Sequence, residues 1–290
     1  MRRVFPFRVI FLTGLSIGLA MTLSATPAPA TILVNTGNPD GLIATASRPG
    51  PGSGVNQETE SADDFILSSD ATVTQATFVG LLPTGVPLSA VSQVRVEIYR
   101  VFPADSDTSR TPNVPTRANS PSDVEFADRD SAAGNLTFAT TLVSSSFAAA
   151  NSVDTGIHPS PGQHTGGDGA VTGQEVQFSV TFTTPFSLPA DHYFFIPQVL
   201  LSDANQHFLW LSAPKPIVAP GTPFLPDLQS WIRNAELDPD WLRIGTDIVG
   251  GTAYNATFSL TGELVPEPAS AIVWLLVGLT GVLTGLRRRR

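Results

Sequence analysis

The stretch Val94-Arg95-Val96-Glu97-Ile98-Tyr99-Arg100 decides the fold class. Apolar and polar side chains alternate with a period of two, so an extended chain here turns one face to a core and the other to water. A helix would need a repeat near 3.6. The same alternation returns in Val176-Gln177-Phe178-Ser179-Val180-Thr181-Phe182 and in Ala256-Thr257-Phe258-Ser259-Leu260-Thr261. β-Branched and aromatic residues also fill 31–35, 64–67, 72–82, 136–147, 193–201 and 207–211, with Gly and Pro clusters between the runs. Only 226–237 carries a short helical pattern. About nine strands without alternating helices predict an all-β fold, an antiparallel two-sheet sandwich of jelly-roll type, as a single domain over 31–264.

Composition narrows the chemistry. The 290 residues include no cysteine, which excludes a disulfide scaffold, a thiolate zinc site and a cysteine nucleophile. Charged residues make up 14%, against about 25% in an average soluble domain. Residues 31–268 hold all 25 acidic residues but only 9 of the 16 basic ones, a net charge of −16. Such a body repels phosphate backbones, so nucleic acid is not a partner.

The two ends carry different information. Arg2, Arg3 and Arg8 precede an uncharged, largely apolar run from Val9 to Leu23. Ala28-Pro29-Ala30 then offers the small residues of a signal-peptidase site, so 1–30 is expected to be a signal peptide. The apolar run, about fifteen residues, is shorter than the ~18 a membrane span needs. Arg2-Arg3-Val4-Phe5 resembles a twin-arginine signal, but Pro6 departs from that pattern and favours the general secretory route. At the other end, Val265-Pro266-Glu267-Pro268 precedes an uncharged run over 269–286 and then Arg287, Arg288, Arg289 and Arg290. Eighteen residues at 1.5 Å each span ~27 Å, enough for a hydrocarbon core. Four arginines stop transfer and hold that end in the cytoplasm.

A Pro-Glu-Pro motif, an apolar helix and a terminal arginine cluster in this order resemble the PEP-CTERM sorting signal of Gram-negative bacteria. The resemblance covers 265–290. It implies that Pro266, Glu267 and Pro268 are recognised by an exosortase-type processing enzyme and that the helix is a transient inner-membrane anchor. It also implies delivery to the cell surface or the extracellular polysaccharide of a biofilm. Ser61-Ala62-Asp63-Asp64-Phe65-Ile66-Leu67, the strand at 94–99, Trp231-Ile232-Arg233-Asn234, Asp240-Trp241-Leu242-Arg243 and Phe258-Ser259-Leu260-Thr261-Gly262 resemble a class of exported bacterial β-domains of unknown function. That resemblance implies a sandwich with adjacent first and last strands, and it carries over no catalytic residue.

Candidate sites are few. Three long loops, 103–134, 148–173 and 213–230, are either functional or mobile. His158 and His164 with Asp154 and Asp168 have the residue types of a metal site, though loop histidines without that role are commoner. His192 and His207 stand at strand starts and are expected at the surface. The pairs Asp63-Asp64, Asp105/Asp107, Asp128/Asp130 and Asp238/Asp240 allow structural calcium, but none matches an EF-hand. Asp63 and Asp64 are expected to cap a strand start, and Asp238-Pro239-Asp240 to form a turn. No Gly-x-Ser-x-Gly elbow is present, and the sequons at Asn135 and Asn255 are read as chance. Trp210 is expected in the core. Trp231 and Trp241 are the better candidates for stacking on a sugar, although burial is the commoner fate of such rings.

The resulting expectation is a non-catalytic binding or structural sandwich without a cofactor. A polysaccharide hydrolase or a carbohydrate-binding module is the alternative. A hydrolase needs two carboxylates about 5–9.5 Å apart in a cleft. A binding module needs a row of exposed aromatics.

Overall fold

The computed structural model describes residues 30–50, 57–110, 117–157, 163–214, 229–251 and 253–265. Fifteen strands lie among them: β1 (Thr31–Asn35), β2 (Ile43–Ala46), β3 (Thr59–Leu67), β4 (Ala71–Leu82), β5 (Val91–Val101), β6 (Pro121–Asp130), β7 (Thr137–Ala149), β8 (Asn151–Val153), β9 (Val171–Leu188), β10 (Asp191–Leu201), β11 (Leu209–Ala213), β12 (Trp231–Asn234), β13 (Leu242–Arg243), β14 (Asn255–Ala256) and β15 (Phe258–Leu264). Short helical turns occupy Leu88–Ala90 and Ile244–Val249.

Two sheets pack against each other. The larger has the order β1-β15-β4-β11-β2-β8, with β9 also on β4, β7 on β9 and β14 on β11. The smaller has the order β13-β12-β3-β10-β5-β6. Every described pairing is antiparallel except β2 with β8. β1 and β15 pair, which places the first and last strands side by side.

The alternation that predicted β5 now has its cause. Val94, Val96 and Ile98 enter the main core, where Phe178, Phe195 and Phe258 also lie. Phe78 of β4 stacks on Phe178 of β9 with centroids 4.8 Å apart, and Phe195 of β10 stacks on Phe258 of β15 at 5.0 Å. Each such ring contributes roughly 1.5–3 kcal/mol by leaving water. Gly80 of β4 is required here, because a Cβ at that position would stand 2.6 Å from the Leu209 carbonyl oxygen and run into the Phe208 ring.

Several expectations change. The stretch 226–237 is not helical where described; it forms β12 and then a turn. The loops 103–134 and 148–173 contain β6 and β8, because both segments find strand partners, in β5 and β2. Asp63 and Asp64 lie inside β3 rather than at its start. Asp63, fully buried, accepts hydrogen bonds from the Ser230 hydroxyl at 2.9 Å and the Ala256 N–H at 2.8 Å. Among the described residues, no helix is long and apolar enough to cross a membrane. Ala28, Pro266, Glu267, Pro268 and Arg287 to Arg290 lie outside the described residues. Ala30 is exposed at their start.

Candidate functional site

The smaller sheet has a second face, turned away from the main core. Strand alternation places Glu60, Ala62 and Asp64 of β3 there, with Arg95, Glu97, Tyr99 and Val101 of β5 and Trp231 and Arg233 of β12. The register confirms the layout: Arg233 pairs with Glu60, Trp231 with Ala62, and Ile196 of β10 with Glu97. This face is not open to water. One half is a small apolar cluster of Ala62, Tyr99, Val101, Phe194, Ile196, Trp231 and Trp241. The Trp241 indole N–H donates to the Ser122 carbonyl, which ties the start of β6 to the cluster.

The other half is charged and surrounds a cleft of about 220 Å³. Arg233 binds Glu60 through Nε, the Tyr99 hydroxyl through Nη2 at 2.7 Å and Asp238 through Nη1 at 2.7 Å. Its guanidinium carbon lies 4.4 Å from the Trp241 ring centroid. Arg95 reaches Glu97 at 2.8 Å, Glu125 at 3.2 Å, Asp128 at 3.5 Å and Glu58 at 3.6 Å. Carboxylate oxygens of Glu58, Glu60 and Glu97 lie within 4.8 Å of one another.

Crowding divides the two buried glutamates. For Glu60, burial opposes ionisation, but attraction and hydrogen bonding from Arg233 outweigh it and hold the pKa below the ordinary value. For Glu97, burial comes first, and the Glu60 charge and a hydrogen bond to Glu60 add to it, so its pKa rises well above the ordinary value. The arrangement therefore favours ionisation at Glu60 and opposes it at Glu97. Glu97 Oε2 is buried and has no other hydrogen-bond partner among the described residues. Burial, with Glu60 and Glu97 nearby, also pushes the Tyr99 phenol up.

The residues singled out from sequence lie elsewhere or play other parts. Trp231 and Trp241 are 2% and 1% exposed, which corrects their expected surface position. Both rings pack over the outer sheet face and present no platform for a sugar. Trp210 is in the main core, as expected. His192 is buried, not surface, and its Nε2 lies 2.7 Å from Asp64 Oδ2. His207 pairs with Asp154, and His164 lies 2.8 Å from the Thr246 carbonyl oxygen. Asp168 accepts from the Asp154 and Thr155 N–H groups and the Thr155 hydroxyl, so the two aspartates shape a turn together. His158 lies outside the described residues. Asp105 pairs with Arg100, Asp128 with Arg95, Asp238 with Arg233 and Asp240 with Arg110. Asp107 caps Ser109, and Asp130 accepts from Gln93 and the Ala132 N–H. Sequence reasoning missed the Glu58-Glu60-Glu97 cluster; the signal within β5 was charge at Arg95 and Glu97, on the face that period-two alternation assigns to water.

No protein-family model, curated protein or solved structure matches the chain. Fold and site together define a two-sheet all-β domain with a buried arginine–carboxylate cluster on its outer sheet face.

Proposed function

We propose that the chain is an exported protein, matured by signal peptidase and an exosortase-type enzyme. Its jelly-roll-like sandwich then works without catalysis at the cell surface or in extracellular polysaccharide, as a binding or structural unit. The observation that carries this reading is where the fold closes. Core residues run from Phe65 to Leu260, β15 ends at Leu264, and the Val265 N–H donates to the Asp70 carbonyl at 2.8 Å. Pro266, the first residue of the sorting motif, follows directly. A last strand that ends just before Pro266 fits the reading of 265–290 as a separable sorting segment.

What supports a non-catalytic role in the cleft is the pairing of its carboxylates with arginine. Its Glu60 and Glu97 carboxylates are tied to Arg233 and Arg95, whereas glycosidic cleavage uses a carboxyl pair with a sugar seated between them. The second reading, a polysaccharide hydrolase, draws on the opposite pKa shifts of Glu60 and Glu97, an arrangement suited to an acid and a base. Reducing-end release from polysaccharide that is lost in Glu97→Gln would favour the hydrolase.

The sorting experiment is direct. Replacing Pro266, Glu267 and Pro268 by alanine in the source cell is expected to leave full-length protein in the inner membrane, seen by fractionation and intact mass. Normal maturation of that variant would refute exosortase-type processing.

A further inference from the structure

We propose that β7 is a dimerisation edge, at which two copies of this chain join their larger sheets antiparallel across a two-fold axis at Thr140. This goes beyond the sorting reading and does not depend on it. An open sheet ends in strands whose outward N–H and C=O groups can accept another chain. Among the described residues β7 pairs with β9 alone, so one of its sides has no strand beside it. It is 13 residues long.

The other sheet ends are protected. β1, β8 and β13 have 5, 3 and 2 residues. β6 is longer, but it opens with Pro121 and carries Asp123, Glu125, Asp128, Arg129 and Asp130. Short strands, proline and charge are the common defences of an edge. β7 has none of them, since no charged residue and no proline occurs over 131–153. In a body of net charge −16, this uncharged edge is where a second copy meets least repulsion.

The side-chain pattern says which strand fits there. Pairing with β9 sets Phe138 beside Val180, Thr140 beside Phe178 and Leu142 beside Val176, and all three partners are buried in the core. Phe138, Thr140 and Leu142 therefore share the core-facing side of the sheet. Phe138 packs on the core but is only half-buried, and Leu142 is 45% exposed. The apolar layer thus runs out to the β7 edge and stops there uncovered. Phe138 and Leu142 stand equally far from Thr140, one on each side. An antiparallel copy centred on Thr140 sets Phe138 of each chain opposite Leu142 of the other, and the axis makes this contact twice. On the outer side the same register sets Ala139 opposite Thr141, both neutral. β7 thus matches itself in reverse, which selects a second copy as its partner. Register shifts against β9 begin after Leu142, so the regular pairing is the run from Phe138 to Leu142.

The absence of cysteine makes single-cysteine cross-linking a clean test. The full chain in detergent micelles is oxidised with copper–phenanthroline, and its mass is followed by sedimentation velocity. Directly opposed residues have Cα atoms about 4.5–5.5 Å apart, inside the roughly 4.4–6.8 Å that a disulfide spans. Thr140→Cys is therefore expected to form a covalent dimer at least about tenfold faster than Ile32→Cys, which is 64% exposed on the opposite edge strand β1. Without oxidant, the wild-type chain is expected to pass from monomer to dimer between about 1 and 100 µM, as suits a small interface. Ala139→Glu combined with Thr141→Glu, two exposed positions, sets like charges directly opposite each other. It should weaken the dimer about tenfold or more while Tm stays within about 2 °C. A wild-type chain that is monomeric up to about 300 µM would overturn the proposal. So would a dimer that survives the two glutamates, or equal cross-linking at 140 and 32, because either result puts the contact on another surface.

Discussion

Glu97 concentrates the conflict in this fold. Its strand position demands a side chain on the outer face, and the segments folded over that face remove it from water. Arg95 neutralises it in part, while Glu60 repels it. The consequence is a stability that depends on pH in a definite direction. With its pKa raised, folded Glu97 keeps its proton in a range where the unfolded chain has released it. Stability in metal-free buffer should therefore fall as pH rises from the ordinary value near 4.5 through the raised folded value. Glu60 works in the opposite sense: its folded pKa is lowered, so its contribution is present above 4.5 and lost as pH falls through the folded value. The other charges facing the pair are Glu58 before β3, Arg95 on β5, Glu125 and Asp128 on β6, and Arg233 and Asp238 from β12 and its turn. Glu97→Gln should flatten the decline above pH 4.5 and leave the acid limb unchanged, as read from urea midpoints between pH 3 and 9. A decline as steep in the variant as in the wild type would show that Glu97 is not its source.

At the scale of elements, β12 and the turn after it do the work that the sequence disguised. Trp231 and Trp241 bracket this segment, and both rings bury against Tyr99, Phe194 and Ile196. Trp241→Ala should lower unfolding free energy by about 3–5 kcal/mol in urea, with no change in retention on immobilised polysaccharide. Retention lost at unchanged stability would return the ring to a binding role. The main sheets were legible because β5, β9 and β15 alternate cleanly between core and non-core positions. Alternation separates the two faces of a strand, but it does not say whether the second face meets water or another segment. Arg95 and Glu97 consequently look like solvent-facing residues, when the Ser122 and Trp241 segments in fact cover the neighbouring surface. β2 was missed because Ile43-Ala44-Thr45-Ala46 is short and nearly uniform in polarity, so period two leaves no mark. The carboxylate cluster was out of reach for another reason. Glu60, Glu97 and Arg233 are far apart in sequence and meet only through the order β12-β3-β10-β5.

At the scale of the whole molecule, the pairing of β1 with β15 sets the first and last described strands side by side. β15 is held on both sides, by Thr31 to Asn35 of β1 and by Ala71 to Phe78 of β4. Its Phe258 and Leu260 are 2% and 1% exposed, so the closing strand is part of the core. Exposure rises at its end, to 47% at Leu264, and stays at 45% at Val265. A chain cut after Val265 keeps every described strand pairing and the Val265 bond to Asp70. It loses the apolar segment and the four arginines, leaving an acidic body that stays soluble. Its unfolding free energy should match that of the longer chain within about 0.5 kcal/mol, a shift in Tm of roughly 2 °C or less. A cut after Leu260 should behave differently. It removes Thr261 to Leu264, which pair with Ala71 to Gln75, and uncovers that edge of β4. Differential scanning calorimetry of the two truncations tests the boundary. If the longer one aggregates or melts more than about 5 °C low, the tail contributes to the fold and cannot be a disposable anchor.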